Sequence, residues 1–244
     1  MNTDKVSVII PSYNRFDYLL NAIEHIKKQT YQNIEIIVIN DCSTQEQYYT
    51  HNWENIKIIH LSKNGKEILG HISSGYVRDY GIKIATGKYI AFCDDDDIWF
   101  SNKLELQIDA MKKTGCKMSS TDGLIGIGIY NPKKIYKMYN SEHYFETIKQ
   151  IYKNAGSTMM NDGYPNIWTL NFLKIHNCMI ASSVIVEKEI LEKINYMGNL
   201  PGGQDDYDCW IRCLNHTNSV YVKDKCFYYD AAHNYGIILH DSEY

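Results

Sequence analysis

No stretch of this 244-residue chain is long and apolar enough for a membrane-spanning helix, which takes about 20 such residues. The opening MNTDKVSVIIPSYN holds an apolar run too short for a signal peptide, and a proline breaks it. Positive charge is not in excess: 25 Lys and Arg face 29 Asp and Glu, for a net charge of -4. No overall basic field therefore points to nucleic acid or to an anionic membrane. Arginine is rare, at 3 of those 25 basic residues, so each one draws attention. The seven cysteines (42, 93, 116, 178, 209, 213, 226) are odd in number, scattered, and form no C-x-x-C pair. That excludes a disulfide framework and a thiolate zinc site, and implies reduced thiols in a cytoplasmic protein. Internal repeats, low-complexity tracts and linkers are also lacking.

What is present, in the first half, is an alternation of strand and helix signals. Apolar runs at 6–10, 34–39, 56–61 and 89–93 read as strands, and 18–29 and 74–86 as helices. The first helix gathers Leu19, Leu20, Ile23 and Ile26 on one face. Such alternation predicts a parallel sheet covered on both faces and joined by right-handed crossovers. The second half is less regular. It offers helices at 103–113, 187–194 and 205–215, a strand at 178–186, and short strand-like pieces within 117–140. The Gly-, Asn-, Ser- and Met-rich stretch 154–168 reads as a mobile loop. The expectation is a single α/β domain over 1–244, with unequal halves at about 1–100 and about 101–244.

The most informative segment is YIAFCDDDDIW (89–99), a buried-looking strand running into four aspartates, Asp94 to Asp97. Open α/β sheets bind ligands at C-terminal strand ends. Like charges this close repel and lose solvation when buried, so the cluster calls for a counter-cation, which a divalent metal on a phosphorylated ligand supplies. The bland alternative is a solvated acidic turn, or a helix start capped by Asp97. Three further groups follow the same plan. SVIIPSYNR (7–15) ends a strand at Pro11, leaving Tyr13 to lie against a base and Arg15 to pair with phosphate, unless this is only a capped turn. VINDCST (38–44) puts Asp41 at the next strand end, where it can accept from a base imide or ribose hydroxyl, or make an Asx-turn. GGQDDYDCWIR (202–212) sets Asp205, Asp206 and Asp208 at a helix N-terminus, where simple capping also favours acid.

Taken together, VSVIIPSYNR, VINDCST, GKYIAFCDDDDIW and QDDYDCWIR resemble the inverting glycosyltransferases of family 2, which have the GT-A fold. The resemblance runs from about Val6 to about His233, with the motifs in family order. It implies a Rossmann-like, mostly parallel sheet with a nucleotide-sugar-binding half and an acceptor half. By position, Pro11, Tyr13 and Asp41 would hold the nucleobase, with Arg15 and Arg78 near the nucleotide pocket. Asp94, Asp95 and Asp96 match the D-x-D element: Asp96 would hold Mn²⁺ or Mg²⁺ on the diphosphate, and Asp94 or Asp95 would face the ribose or sugar. Asp206 matches the general base, with Asp205 beside it standing where Glu is usual. His233 is the candidate for a late metal-binding histidine, although its spacing differs and Asp230 stands where Arg is frequent.

The reaction so implied is transfer of a sugar from a nucleoside-diphosphate sugar, commonly a UDP-sugar, to a hydroxyl of a glycan or other acceptor. Hexosyl or N-acetylhexosaminyl transfer is the expected class, single transfer rather than polymerisation. A catalytically inactive nucleotide-sugar-binding module of the same fold is the alternative, kept open by Asp79 after Arg78 and by Asp205. A nucleotidyltransferase would need a Gly-rich phosphate loop after the first strand, and PSYNRFDY has none. A calcium loop would need D-x-D-x-D-G and a closing Glu. For the acceptor, Asn166, Trp168 and His176 are candidate sugar contacts.

Overall fold

In the computed structural model, which describes residues 4–201 and 203–233, β1 (Val6–Ser12) is apolar on both faces. Val6, Val8 and Ile10 enter one core layer and Ile9 the opposite one. This is the period of two expected of a strand covered on both sides. It pairs in parallel with β2 (Ile34–Asn40) and β4 (Tyr89–Phe92), and β2 pairs in parallel with β3 (Ile56–His60). The helices of this half are α1 (Phe16–Lys27), α2 (Gln47–Thr50), α3 (Gly65–Leu69) and α4 (Ser74–Ile84). α1 buries Leu19, Ile23 and Ile26 in the layer of Val8, while α4 buries Val77 and Ile82 in the layer of Ile9. Gly81 allows α4 its close approach to β1: a Cβ there would lie 2.8 Å from Ile9 Cγ2.

The second half extends the same sheet. β5 (Ile98–Trp99) and α5 (Lys103–Thr114) lead into β6 (Met118–Gly126), whose hairpin partner is β7 (Lys137–Met138). After α6 (Phe145–Asn154) come β8 (Ile167–Trp168), α7 (Leu170–Leu173), β9 (Ile185–Glu187) and α8 (Lys188–Lys193). α9 (Asp205–Cys213) and the long β10 (Ser219–Asp230) follow. The strand order is β3-β2-β1-β4-β9-β6-β10-β5, with β9 antiparallel to both of its neighbours. The parallel first half is as expected.

Three expectations for the second half are corrected. The strand read at 178–186 is only the short β9, preceded by a single helical turn at Ala181–Ser183. That turn directs its polar groups at the aspartate loop: Asp94 N donates to Ser182 Oγ at 2.9 Å and Trp99 Nε1 to Ser182 O at 3.1 Å. The stretch 154–168 is anchored, because Met160, Tyr164 and Trp168 are buried in the core. Trp168 is fully buried, stacked on Tyr221 with ring centroids 4.4 Å apart, and so is closed to a sugar. α6 and β10 stand where no regular element was expected.

Candidate active site

Because β2, β1 and β4 are adjacent and parallel, their C-terminal ends open on one edge of the sheet. That edge brings together Pro11, Tyr13 and Arg15 after β1, Asp41 after β2 and the aspartate run after β4. Tyr13 is 46% exposed there and Pro11 half-buried. Asp41 accepts from Gly65 N at 2.7 Å and from Asn64 Nδ2 at 3.0 Å, which binds the β2 end to the start of α3 rather than forming a local Asx-turn. Burial pushes its carboxyl up to about 6, against the lowering effect of the Gly65 N–H.

The four aspartates separate into distinct environments. Asp94 is partly exposed and paired with the buried Arg78 guanidinium. Asp95 is buried and accepts from Ser12 Oγ at 2.7 Å, with Tyr48 OH on the far side of that hydroxyl. Asp96 Oδ2 accepts from Arg15 Nη1 at 2.7 Å, and the same guanidinium nitrogen lies 3.2 Å from Asp95 Oδ1. Asp97 is fully buried and accepts from Asp230 N at 3.0 Å. It leads into β5 rather than a helix, so capping by Asp97 does not account for the run. Desolvation, followed by mutual repulsion, raises the carboxyls of Asp95, Asp96 and Asp97 above the ordinary range. A solvated acidic turn would show neither the burial nor the shifts.

His233, at the end of the single helical turn Ala231–His233, comes to the same place: its Nδ1 lies 3.3 Å from Asp96 Oδ2 and 3.6 Å from Asp230 Oδ2. That nitrogen is buried with no hydrogen-bond partner, as is Asp230 Oδ2. An imidazole nitrogen set this close to two carboxylate oxygens is a donor set that suits a divalent cation. Among the described residues no trio of His, Cys, Asp or Glu side chains is gathered as a complete metal site. Asp96 and His233 would thus supply two ligands, leaving the remaining positions to ligand oxygens and water, as Mg²⁺ and Mn²⁺ accept.

α9 brings the second acidic pair against α4. Ser73 caps α4 by accepting from Tyr76 N at 3.1 Å, and its Oγ donates to Asp205 Oδ2 at 3.0 Å. Gly75 N donates to the same carboxylate oxygen. The contact demands glycine, since a Cβ at Gly75 would sit 2.8 Å from Asp205 Oδ2. Asp205 is 2% exposed and engaged in this joint. Asp206 accepts from Tyr207 N at 2.5 Å and otherwise sits beside Arg78, whose charge is shared among Asp94, Asp205 and Asp206. Burial pushes the Asp206 carboxyl up to about 7, with Arg78 opposing and Asp205 adding to the rise. Asp79, the residue after Arg78, is turned to the segment before α9: it accepts from Met197 N at 2.9 Å and Gly198 N at 3.2 Å. Asp208 pairs with Arg212 at 2.7 Å and plays no part in the cluster.

Sequence reasoning left Ser12, Tyr48, Ser73 and Ser182 without roles. Each is a hydroxyl that fixes a carboxylate or its loop, and only the folded arrangement reveals the partner. His176 is half-buried and Asn166 exposed, away from the hydrogen-bond network of the aspartate run.

A sheet that is parallel over its first four strands and ends in buried aspartates has close counterparts among known proteins. Residues 7–164 match the model of glycosyl transferase family 2. A Rickettsia bellii protein described as an uncharacterized glycosyltransferase is 40% identical over 207 residues, which are 82% of this chain and 25% of that protein. TarS 1–349 of S. aureus, solved in complex with UDP-GlcNAc, superposes with a TM-score of 0.68 at 18% identity, over 98% of this chain and 61% of that one. A mannosyltransferase of Pyrobaculum calidifontis, solved with GDP-Man and Mn²⁺, gives a TM-score of 0.62 at 14% identity, over 96% of this chain and 59% of that one. The architecture is that of a GT-A glycosyltransferase domain. The chain belongs to glycosyltransferase family 2, and it spans only a quarter of the Rickettsia relative.

Proposed function

We propose that this domain transfers a sugar from a nucleoside-diphosphate sugar to an acceptor hydroxyl by a single inverting displacement, with Asp206 as general base. The observation that carries this reading is the pairing of two carboxylate sites across one arginine. Asp94 to Asp96 lie at the strand edge, Asp206 lies on α9, and Arg78 stands between them. A hydroxyl is a weak nucleophile, and a carboxylate raised to about 7 is matched to removing its proton near neutral pH. Asp205, engaged by Ser73 and Gly75, has the role of positioning its neighbour. Tyr13 and Asp41 would receive the base, and Arg15 would move from Asp96 to the diphosphate as the donor binds. A divalent cation held by Asp96 and His233 would neutralise the charge gathering on the departing nucleoside diphosphate.

Support for a uridine donor and for manganese comes from the fold neighbours, one solved with UDP-GlcNAc and one with Mn²⁺. The test is release of nucleoside diphosphate from a panel of UDP-, GDP- and dTDP-sugars, with Mn²⁺ and with chelator. Slow, cation-dependent release from a UDP-sugar is expected. Binding of nucleotide without release from any donor, in the presence of candidate glycan acceptors, would favour a silent binding module instead.

A further inference from the structure

Between β6 and β7 the chain runs out in a loop, residues 127–136, that turns its apolar side chains to solvent. Ile135 is 100% exposed, Ile127 64% and Ile129 57%. Single exposed isoleucines are ordinary, but three on one short loop, one of them wholly uncovered, are a concentration of apolar surface that suits a partner. Lys133, Lys134 and Lys137 are exposed in the same hairpin, and no acidic residue occurs between Asp122 and Glu142. A chain of net charge -4 therefore carries a local segment of pure positive charge.

The loop is braced at its root. Tyr130 packs on Phe100 and Tyr228 with ring centroids 5.5 and 5.3 Å apart, and Tyr136 packs on Tyr228 at 4.9 Å. Tyr228 OH donates to Gly128 O at 2.7 Å, and Gly128 N donates to Asp230 Oδ1 at 2.8 Å. Projecting isoleucines, flanking lysines and half-buried tyrosines at the base are the pattern of a segment seated in a lipid headgroup layer.

We propose that this hairpin docks the domain on an anionic lipid bilayer, the isoleucines entering the headgroup boundary and the lysines facing lipid phosphates. A second copy of the chain is the poorer occupant, because a two-fold contact would bring the lysine clusters face to face. The reading of overall charge given by the sequence, which points to no membrane, averages this local patch away. Docking also has a consequence for the site, since Asp230 bonds both the hairpin and Asp97. Seating the hairpin holds the aspartate edge near the bilayer. On the transferase reading, to which this consequence alone is tied, the acceptor is a membrane-borne glycan.

The test is co-sedimentation of the full chain with phosphatidylcholine vesicles, and with vesicles carrying about 30% phosphatidylglycerol, at ~0.1 M and ~0.5 M salt. Wild type is expected to bind the anionic vesicles at least tenfold better than the neutral ones, and more weakly at high salt. Lys133→Glu with Lys134→Glu is expected to lower that binding at least tenfold, about fivefold per basic residue being usual. Ile129→Asn with Ile135→Asn should lower it at both salt concentrations. Far-UV circular dichroism and melting temperature, unchanged in both variants, serve as the check on folding. Failure of wild type to bind anionic vesicles, binding unaltered in both variants, or a dimer that the isoleucine changes dissociate would each overturn the proposal. Loss of the transferase reading appears separately, as absent nucleotide binding with vesicle binding intact.

Discussion

Asp205 and Asp206 are chemically identical neighbours, and their surroundings separate them. Asp205 accepts from a hydroxyl and an amide that lie about 130 residues away in sequence, so nothing in QDDYDCWIR could reveal that it is a joint. Asp206 keeps fewer hydrogen bonds and a carboxyl raised to about 7 by burial. As general base it must be ionised, so the transfer rate should climb with pH through about 7 and level off above it, which a pH profile of kcat/KM will show. Stability should run the other way. The folded state holds this proton more tightly than the unfolded chain, so Asp206 lowers stability as pH rises from about 4 to about 7. Asp206→Asn should therefore melt higher than wild type at pH ~8, and no higher at pH ~4, by differential scanning calorimetry. The four-aspartate run was legible as an acidic cluster at a strand end, but not the assignment of Asp95 to Ser12 and Arg15 or of Asp97 to the backbone of Asp230.

Elements of the first half were legible because their apolar period is clean. β4 is apolar throughout, β1 and β2 are apolar but for Ser7, Glu35 and their polar ends, and α1 carries a single apolar stripe. β10 was not, since exposed Lys223, Asp224 and Lys225 interrupt its alternation and its pairing with β6 shifts register on either side of Lys225. α6 did carry a readable signal, with Ile148 and Tyr152 one turn apart on the buried side. The contact of α9 with the capped start of α4 is the element-level joint on which the site depends. Removing its carboxylate by Asp205→Ala leaves Ser73 Oγ and Gly75 N without an acceptor in a buried place. A loss of about 2–4 kcal/mol is expected in urea unfolding, with a smaller loss for Asp205→Asn. An unchanged midpoint for both variants would contradict this role.

At the scale of the whole molecule, a single sheet runs from β3 to β5 and divides the chemistry between its halves. The parallel half sets Tyr13, Asp41 and the aspartates on one edge, and the mixed half returns Asp206 and His233 to the same edge. Among the described residues no helix is long and apolar enough to cross a membrane. That His233 reaches Asp96 across the sheet was legible only through the family resemblance, because β10 is the element that carries it there. The most direct test pairs two readings on wild type and Asp206→Asn: nucleotide affinity by calorimetry, and nucleoside diphosphate released from the preferred donor with Mn²⁺. With Asp206 as the base, affinity should be unchanged and release reduced on the order of 10²–10⁴-fold in the variant. Equal release from both proteins would contradict it, because Asp206 would then not be the base.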